Sequence, residues 1–561
     1  MGIEQDGVRL DKVTMVHPAT TEVEERRVVF LTCCDLVCRS YPYINRIFFF
    51  NGGDDVESVV ASLKEGLSKA LVDFYPLSGR FCIGQEGRLQ VECNNSRGAD
   101  VHAAIEACVG VVDGVGGELC CGAVPSSAEF VEATCDLPFR MLAQERFQHH
   151  PVFWKLARRT HYLRCDYLHE PILSVQVTKF RDNGGISVGV SMSHAVADAQ
   201  SFYDFVNCWG QRCRGLSLSV PPVHMRAALS VEALFPAEGF STVSSTAVEG
   251  QYRKRHDSAV GTVVSKNLPS SEQELRKGSN EVHELTKDLD QVHIASRASL
   301  RSSGIDVKFP LPRSQAPIME KQLEEEEHRR PRSDLVQKIF SFSQETLNRL
   351  KQTVNSEYAA QETCSNAMND ELNGGKAKSG FSFTTFESFC AHWWKCFIQA
   401  RSPPADQCVF LLIPINCRRR FLDIPANYFG NALDGALVKM TAGKLCNANL
   451  SAIAGSIHEA IKAATEEGFK QYIREAEVKR NEIPHFDRTA LFHIVDSPKY
   501  PIFDVDFGFG RPEAVRAEGF RFGAEVQIIN GSLGAGSYDL FCALDKHTMS
   551  RLEHETCFLD L

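Results

Sequence analysis

From residue 186 to 193, Ile186, Val188, Val190 and Met192 alternate with Ser187, Gly189, Ser191 and Ser193, the period-two pattern of a β-strand. Asn183-Gly184-Gly185 supplies a turn ahead of it, and 171–180 supplies a partner strand. After Asp198 the period changes. Phe202, Phe205, Val206, Trp209 and Cys213 recur at helical spacing, and Gly215 with Pro221-Pro222 marks the stop. The stretch Ser193-His194-Ala195-Val196-Ala197-Asp198 therefore lies where a strand runs into a helix. Upstream, Val56, Val59, Val60, Leu63, Leu67, Leu71 and Phe74 predict one apolar face of a helix over 54–74, with Asp54 and Asp55 favouring its N-terminal dipole. Tyr75-Pro76-Leu77-Ser78-Gly79-Arg80 turns from it into a strand, and 87–92 returns as the hairpin partner.

The second half repeats the theme. A strand is expected over 335–342, then a helix capped near Ser343 with Leu347, Leu350 and Val354 inside. A further helix over 384–400 carries Phe386, Phe389, Cys390, Trp393, Trp394 and Phe397. The nearly continuous apolar run 408–416 predicts a strand buried on both faces. Leu450, Ile453, Ile457, Ile461 and Ala464 predict another amphipathic helix. Between the halves, 226–333 is rich in Ser, Glu, Lys and Arg and includes Glu324-Glu325-Glu326-Glu327; a stretch this long without periodicity reads as an exposed, disordered insertion. A second long loop is expected over 361–380. Strands and helices on both sides of one long connection imply an α/β protein of two domains, 1–225 and 334–561.

The 561 residues suffice for two cores, and 43% hydrophobic with 24% charged residues is the balance of an ordinary globular chain. A net charge of −10 gives no support for nucleic-acid binding. No apolar run approaches the roughly 18 residues that span a bilayer, so no membrane span is expected. Met1-Gly2-Ile3-Glu4-Gln5-Asp6 lacks the features of a signal peptide or a myristoylation site. The twenty cysteines are scattered, many in apolar segments, with no Cys-x-x-Cys pair. They read as reduced thiols of a cytoplasmic protein, with no metal site expected.

His194 shares the parity of the apolar residues and should point inward. An imidazole so placed can serve as a general base. Ser193, its neighbour on the strand, faces the opposite side and is poorly placed as a nucleophile. A buried structural histidine followed by a helix-capping aspartate would leave the same pattern, so the pentad alone does not decide.

The decision comes from motifs elsewhere in the chain. His194-x-x-x-Asp198 together with Asp506-Phe507-Gly508-Phe509-Gly510 resembles the BAHD acyltransferases, plant enzymes that move acyl groups from coenzyme A thioesters. Phe74-Tyr75-Pro76-Leu77-Ser78-Gly79-Arg80, the helix 384–395, Ile413-Pro414-Ile415-Asn416-Cys417-Arg418 and Tyr428-Phe429-Gly430-Asn431 resemble further segments of that family, in the same order. The resemblance covers nearly all of the chain except 226–333.

It implies two similar chloramphenicol-acetyltransferase-like α/β domains with a channel between them. Acyl-CoA would be a co-substrate, a small molecule the acceptor, and no cofactor would be bound to the monomer. His194 would take the acceptor's proton, and the acceptor would attack the thioester directly, without an acyl-enzyme. Asp198 would be structural, paired with Arg418 to support the catalytic loop. Asp506 to Gly510 would be structural, with an influence on coenzyme A binding. Thr384 and Thr385 would be candidate coenzyme A contacts, and Lys499 a candidate for an acceptor carboxylate. The implied reaction is O-acylation, with a hydroxycinnamoyl donor, of a plant specialised metabolite or cuticle-type alcohol. Its neighbours are N-acylation of a polyamine and a non-catalytic binding relative. Peptide condensation by the same pentad expects a second histidine where Ser193 stands. Two departures stand out: Ala199 replaces the family's glycine, and Phe509 its tryptophan.

Overall fold

Two six-stranded mixed sheets take up most of the strand-forming segments in the computed structural model, which describes residues 7–19, 27–52, 55–84, 88–94, 125–158, 170–236, 335–370, 381–478, 490–520, 523 and 525–559. The first runs Val8–Val16, Ala128–Cys135, Leu173–Phe180, Gly185–Met192, Ile44–Asn51, Ala514–Arg516. The second runs Leu433–Thr441, Cys408–Asn416, Leu491–Ile494, Glu525–Asn530, Tyr538–Asp545, Leu335–Phe342. A small sheet of Arg27–Phe30, Leu89–Cys93 and Arg80–Ile83 completes the fold, with the last two forming the expected hairpin.

The helices pack where their apolar stripes demand. Val56–Asp73, capped by Asp55, and Ala199–Cys213 share one core with the first sheet, and the Trp209 indole N–H donates to the Leu63 carbonyl at 3.0 Å. Thr385–Arg401 is buried around most of its circumference against the second sheet, with Leu450–Lys462 and the start of Gln344–Asp370 beside it. This is the two-domain α/β arrangement expected from the alternating pattern.

The structure departs from the sequence pattern, or goes beyond it, at several places. The strand Gly185–Met192 is buried on both faces, because Leu156 and Ala157 lie against Gly189 on the side away from the helices. Conversely, Cys408–Asn416 alternates between buried and half-buried positions: Val409, Leu411, Ile413 and Ile415 face the core, while the opposite face keeps some exposure. The polar insertion does not begin at 226, for Arg226–Leu229 and Val231–Leu234 are short helices whose Leu229 and Val231 pack beside Tyr428 and Phe469. Gln344–Asp370 carries helix well into the loop expected at 361; residues 237–334 and 371–380 lie outside the described residues. The boundary at 334 is also crossed, since Ala514–Arg516 pairs with Ile47 to Phe49 and covers the edge of the first sheet.

Histidines held neutral by burial should make this fold acid-sensitive. His392 sits on Thr385–Arg401 with its Nε2–H donating to the Phe558 carbonyl at 3.1 Å, and burial pulls its pKa down to about 4. The unfolded chain takes that proton near the ordinary value of about 6.5, so the stability from keeping His392 neutral is intact above that pH. It is lost progressively as pH falls toward 4, by roughly 3 kcal/mol for this residue. His149, stacked on Phe541 and also lowered to about 4 by burial, acts in the same sense. Urea unfolding at pH 7 and pH 5 should show the loss, and His392→Gln should reduce it.

Candidate active site

The turn after Gly185–Met192 is anchored by its three apolar residues. Ala195, Val196 and Ala197 are buried in the first core, and the Val196 N–H closes the turn on the Ser193 carbonyl at 3.1 Å. That leaves His194, partly exposed, at one end and Asp198, fully buried, at the other. Asp198 is the N-cap of Ala199–Cys213, its Oδ1 accepting the Ser201 N–H at 3.0 Å. Ala199 is then the first helical residue and needs no positive φ. Ala199→Gly should therefore bring no gain, lowering stability by about 0.5–1 kcal/mol or less in thermal unfolding and leaving turnover unchanged.

Arg418 crosses from the second half to the same carboxylate. Its two terminal nitrogens donate to Asp198 Oδ2 at 2.7 Å and Oδ1 at 3.0 Å, with the side chains 2% and 0% exposed. Nε donates to the Tyr428 carbonyl and NH2 also to the Gly430 carbonyl, so the fork is fixed by backbone on its other side. The Ala432 N–H supplies a further donor to Asp198 Oδ2 at 3.0 Å. The carboxylate is thus held by Arg418 and backbone amides, and it does not serve as a hydrogen-bond partner of the imidazole.

His194 is positioned by other groups. The Asn431 side-chain N–H donates to the His194 carbonyl at 2.8 Å and to Asp35 Oδ1 at 2.8 Å. Asp35 is itself fixed by a capping box with Thr32 and by the Arg226 guanidinium, whose NH2 donates to the Val196 carbonyl at the middle of the turn. Tyr41 packs its ring 5.6 Å from the imidazole, with His493 6.2 Å beyond it. Burial lowers the His194 pKa below the usual histidine range, opposed by its own backbone, the Asp198 charge and Asn431. The result is an imidazole that is neutral at pH 7, with Nδ1 buried and lacking a well-formed hydrogen bond among the described residues. Chemically it can accept a proton.

Among these supporting residues, sequence reading found Asn431 only as part of a motif, and it missed Asp35 and Arg226. The Thr32-x-x-Asp35 spacing of a capping box was the available signal.

Among the described residues, none of the other candidates makes a hydrogen bond or ring contact with the imidazole. Asp506 Oδ1 accepts the N–H groups of Gly508 and Gly510 at 2.8 and 3.1 Å, and both glycines have positive φ, +107° and +100°. Phe507 packs on Trp209, and Phe509 meets Phe50 edge-on at 4.9 Å. Gly210 lets the Asp506 carbonyl approach the helix closely, since a Cβ there would fall 2.6 Å from that oxygen. The segment therefore locks the second half onto the helix that Asp198 starts. Thr384 caps Thr385–Arg401 in a capping box with Glu387, which occupies its hydroxyl; Thr385 is half-buried at the first helical position. Lys499 is exposed on the loop after Leu491–Ile494.

The chain is similar to known proteins in sequence and in fold. The model of the transferase family matches residues 7–112 and 116–559. The chain is 25% identical to the BAHD acyltransferase DCR of Arabidopsis thaliana, over 98% of this chain and 92% of that protein. It is 23% identical to a hydroxycinnamoyltransferase of Narcissus pseudonarcissus, over 97% and 98%. In fold it is similar to the crystal structure of F. sporotrichioides TRI101 complexed with coenzyme A and T-2, with a TM-score of 0.57 at 13% identity, covering 96% and 99% of the two chains. The described residues include no helix long and apolar enough to cross a membrane. With the family model spanning nearly its whole length, the chain belongs to the transferase family, that of the BAHD acyltransferases.

Proposed function

We propose that this protein transfers a hydroxycinnamoyl-type acyl group from its coenzyme A thioester to a hydroxyl of a small-molecule acceptor, a plant specialised metabolite or a cuticle-type alcohol. The observation that carries the reading is His194, a neutral imidazole at a strand–helix turn whose neighbouring aspartate is committed to Arg418. His194 takes the hydroxyl proton as the acceptor oxygen attacks the thioester carbonyl. The carbon–sulfur bond then breaks, and the coenzyme A thiolate leaves and recovers the proton from the imidazolium. A thiolate leaves readily, so a base and two aligned substrates suffice without an acyl-enzyme. The hydroxycinnamoyltransferase among the relatives supports the donor class, and the coenzyme A bound in the TRI101 crystal structure supports the co-substrate. A monomer acting in the cytoplasm belongs to this proposal.

The test is thiol release from acetyl-, malonyl-, p-coumaroyl-, caffeoyl-, feruloyl- and long-chain acyl-CoA, each with a pool of alcohol and amine acceptors. Release that depends on an alcohol acceptor and is greatest with the hydroxycinnamoyl donors is expected. Equal release from the native protein and His194→Ala would overturn the reading.

A further inference from the structure

A second charge pair crosses between the halves from the strand that lies alongside Gly185–Met192, the strand leading to His194. Arg46 lies on Ile44–Asn51, and its NH2 donates to Asp496 Oδ2 at 2.7 Å, with the two side chains 9% and 0% exposed. Arg46 Nε donates to the Tyr203 hydroxyl at 3.1 Å, and that O–H donates to the same Asp496 oxygen at 3.1 Å. Gln527 adds a third donor to it at 3.0 Å. Strand, helix, loop and strand thus converge on one carboxylate oxygen. The polarity is the reverse of the Asp198–Arg418 pair: there the first half supplies the aspartate, here it supplies the arginine. Tyr500 follows Asp496 on the same loop, its ring 5.3 Å from that of Tyr203.

We propose that Arg46 and Asp496 are paired positioning residues for acyl transfer, a second clamp that holds Ile44–Asn51 beside His194 with its cation neutralised. The proposal rests on the reading of His194 as the base. Arg46 lies opposite Val190, on the strand paired with the one that runs into the His194 turn, and a cation there disfavours the imidazolium formed when the proton is taken. Asp496 offsets it. The other polar or titratable groups around His194 among the described residues are Asp198, its carboxylate turned to Arg418, from its own turn, Asn431 from the turn after Tyr428, and Tyr41, with His493 against it, from the loop ahead of Ile44–Asn51. With those unchanged, removal of one partner of the clamp should move His194 one way and removal of the other should move it the opposite way. Simple loss of packing would not do that.

The experiment is titration of ¹³C-histidine-labelled protein by NMR, with the His194 signal assigned by its absence in His194→Ala. Asp496→Asn should shift the His194 midpoint to lower pH, and Arg46→Gln should shift it to higher pH, each by about half a unit or more. Shifts in the same direction, or none, would overturn the proposal. Should either single variant fail to fold, Arg46→Met/Asp496→Leu removes both charges together, a change that buried pairs often tolerate. The double variant should titrate near the native midpoint while thiol release from p-coumaroyl-CoA falls by about tenfold at unchanged KM. Native turnover in that variant would overturn the clamp. The titration needs no substrate, so retained thiol release in His194→Ala would count against the base reading alone.

Discussion

His194→Ala is expected to lower acceptor-dependent thiol release by about 10²–10⁴-fold, the contribution of a positioned general base. Asp198, Arg418 and Asn431 hold the turn through carboxylate and backbone contacts that the substitution leaves in place, so the loss should appear without a comparable fall in melting temperature. The pH profile gives an independent check. The histidine is held below its usual range chiefly by burial, so the base is already neutral at pH 7. Activity should therefore be flat across neutrality and fall only as pH drops through that lowered value, below the ordinary histidine pKa of about 6.5. An acid limb centred at or above that ordinary value, or one that persists unchanged in the alanine variant, would remove His194 from the mechanism.

The second large effect is expected at the Asp198–Arg418 pair. Arg418→Met leaves a fully buried carboxylate facing only the Ser201 and Ala432 amides, and Asp198→Asn leaves a guanidinium without its counter-charge. Each should cost about 3–5 kcal/mol of stability, because the remaining charge is buried and uncompensated. The double variant should cost less than the sum. Urea midpoints of the four proteins close the cycle, and a coupling energy near zero would show that the pair is not the fastening between the halves. Both single variants should also lose activity beyond what their stability explains, since Asp198 caps the helix that fixes the end of the His194 turn.

Much of this site was legible because its signals are local. Period-two alternation ending at Met192, a change to helical spacing after Asp198 and the turn residues between them place His194 correctly. Capping aspartates and threonines mark helix starts for the same reason, since the side chain and the amide it satisfies are three residues apart. Burial on the second face of a strand is different. Cys408–Asn416 was assigned one buried face too many, and the alternation of Gly185–Met192 says nothing of its second cover, because what covers a sheet comes from distant sequence, here Leu156 and Ala157 in the latter case. The supporting residues around the base were hidden likewise: Asp35 meets Asn431 across nearly four hundred residues, and nothing local to either announces the other.

The sequence by itself determined the α/β class, the strand–turn–helix that carries His194 and, through its motifs, the family. Those depend on periodicity and on short-range hydrogen bonding. Only the tertiary structure decided that Ala514–Arg516 crosses to the first sheet and that Arg46 and Asp496 pair between the halves with the polarity opposite to Asp198 and Arg418. A buried charge has no preferred partner until the chain has folded around it. Its choice is set by which opposite charge the packing brings within hydrogen-bonding distance and shields from water.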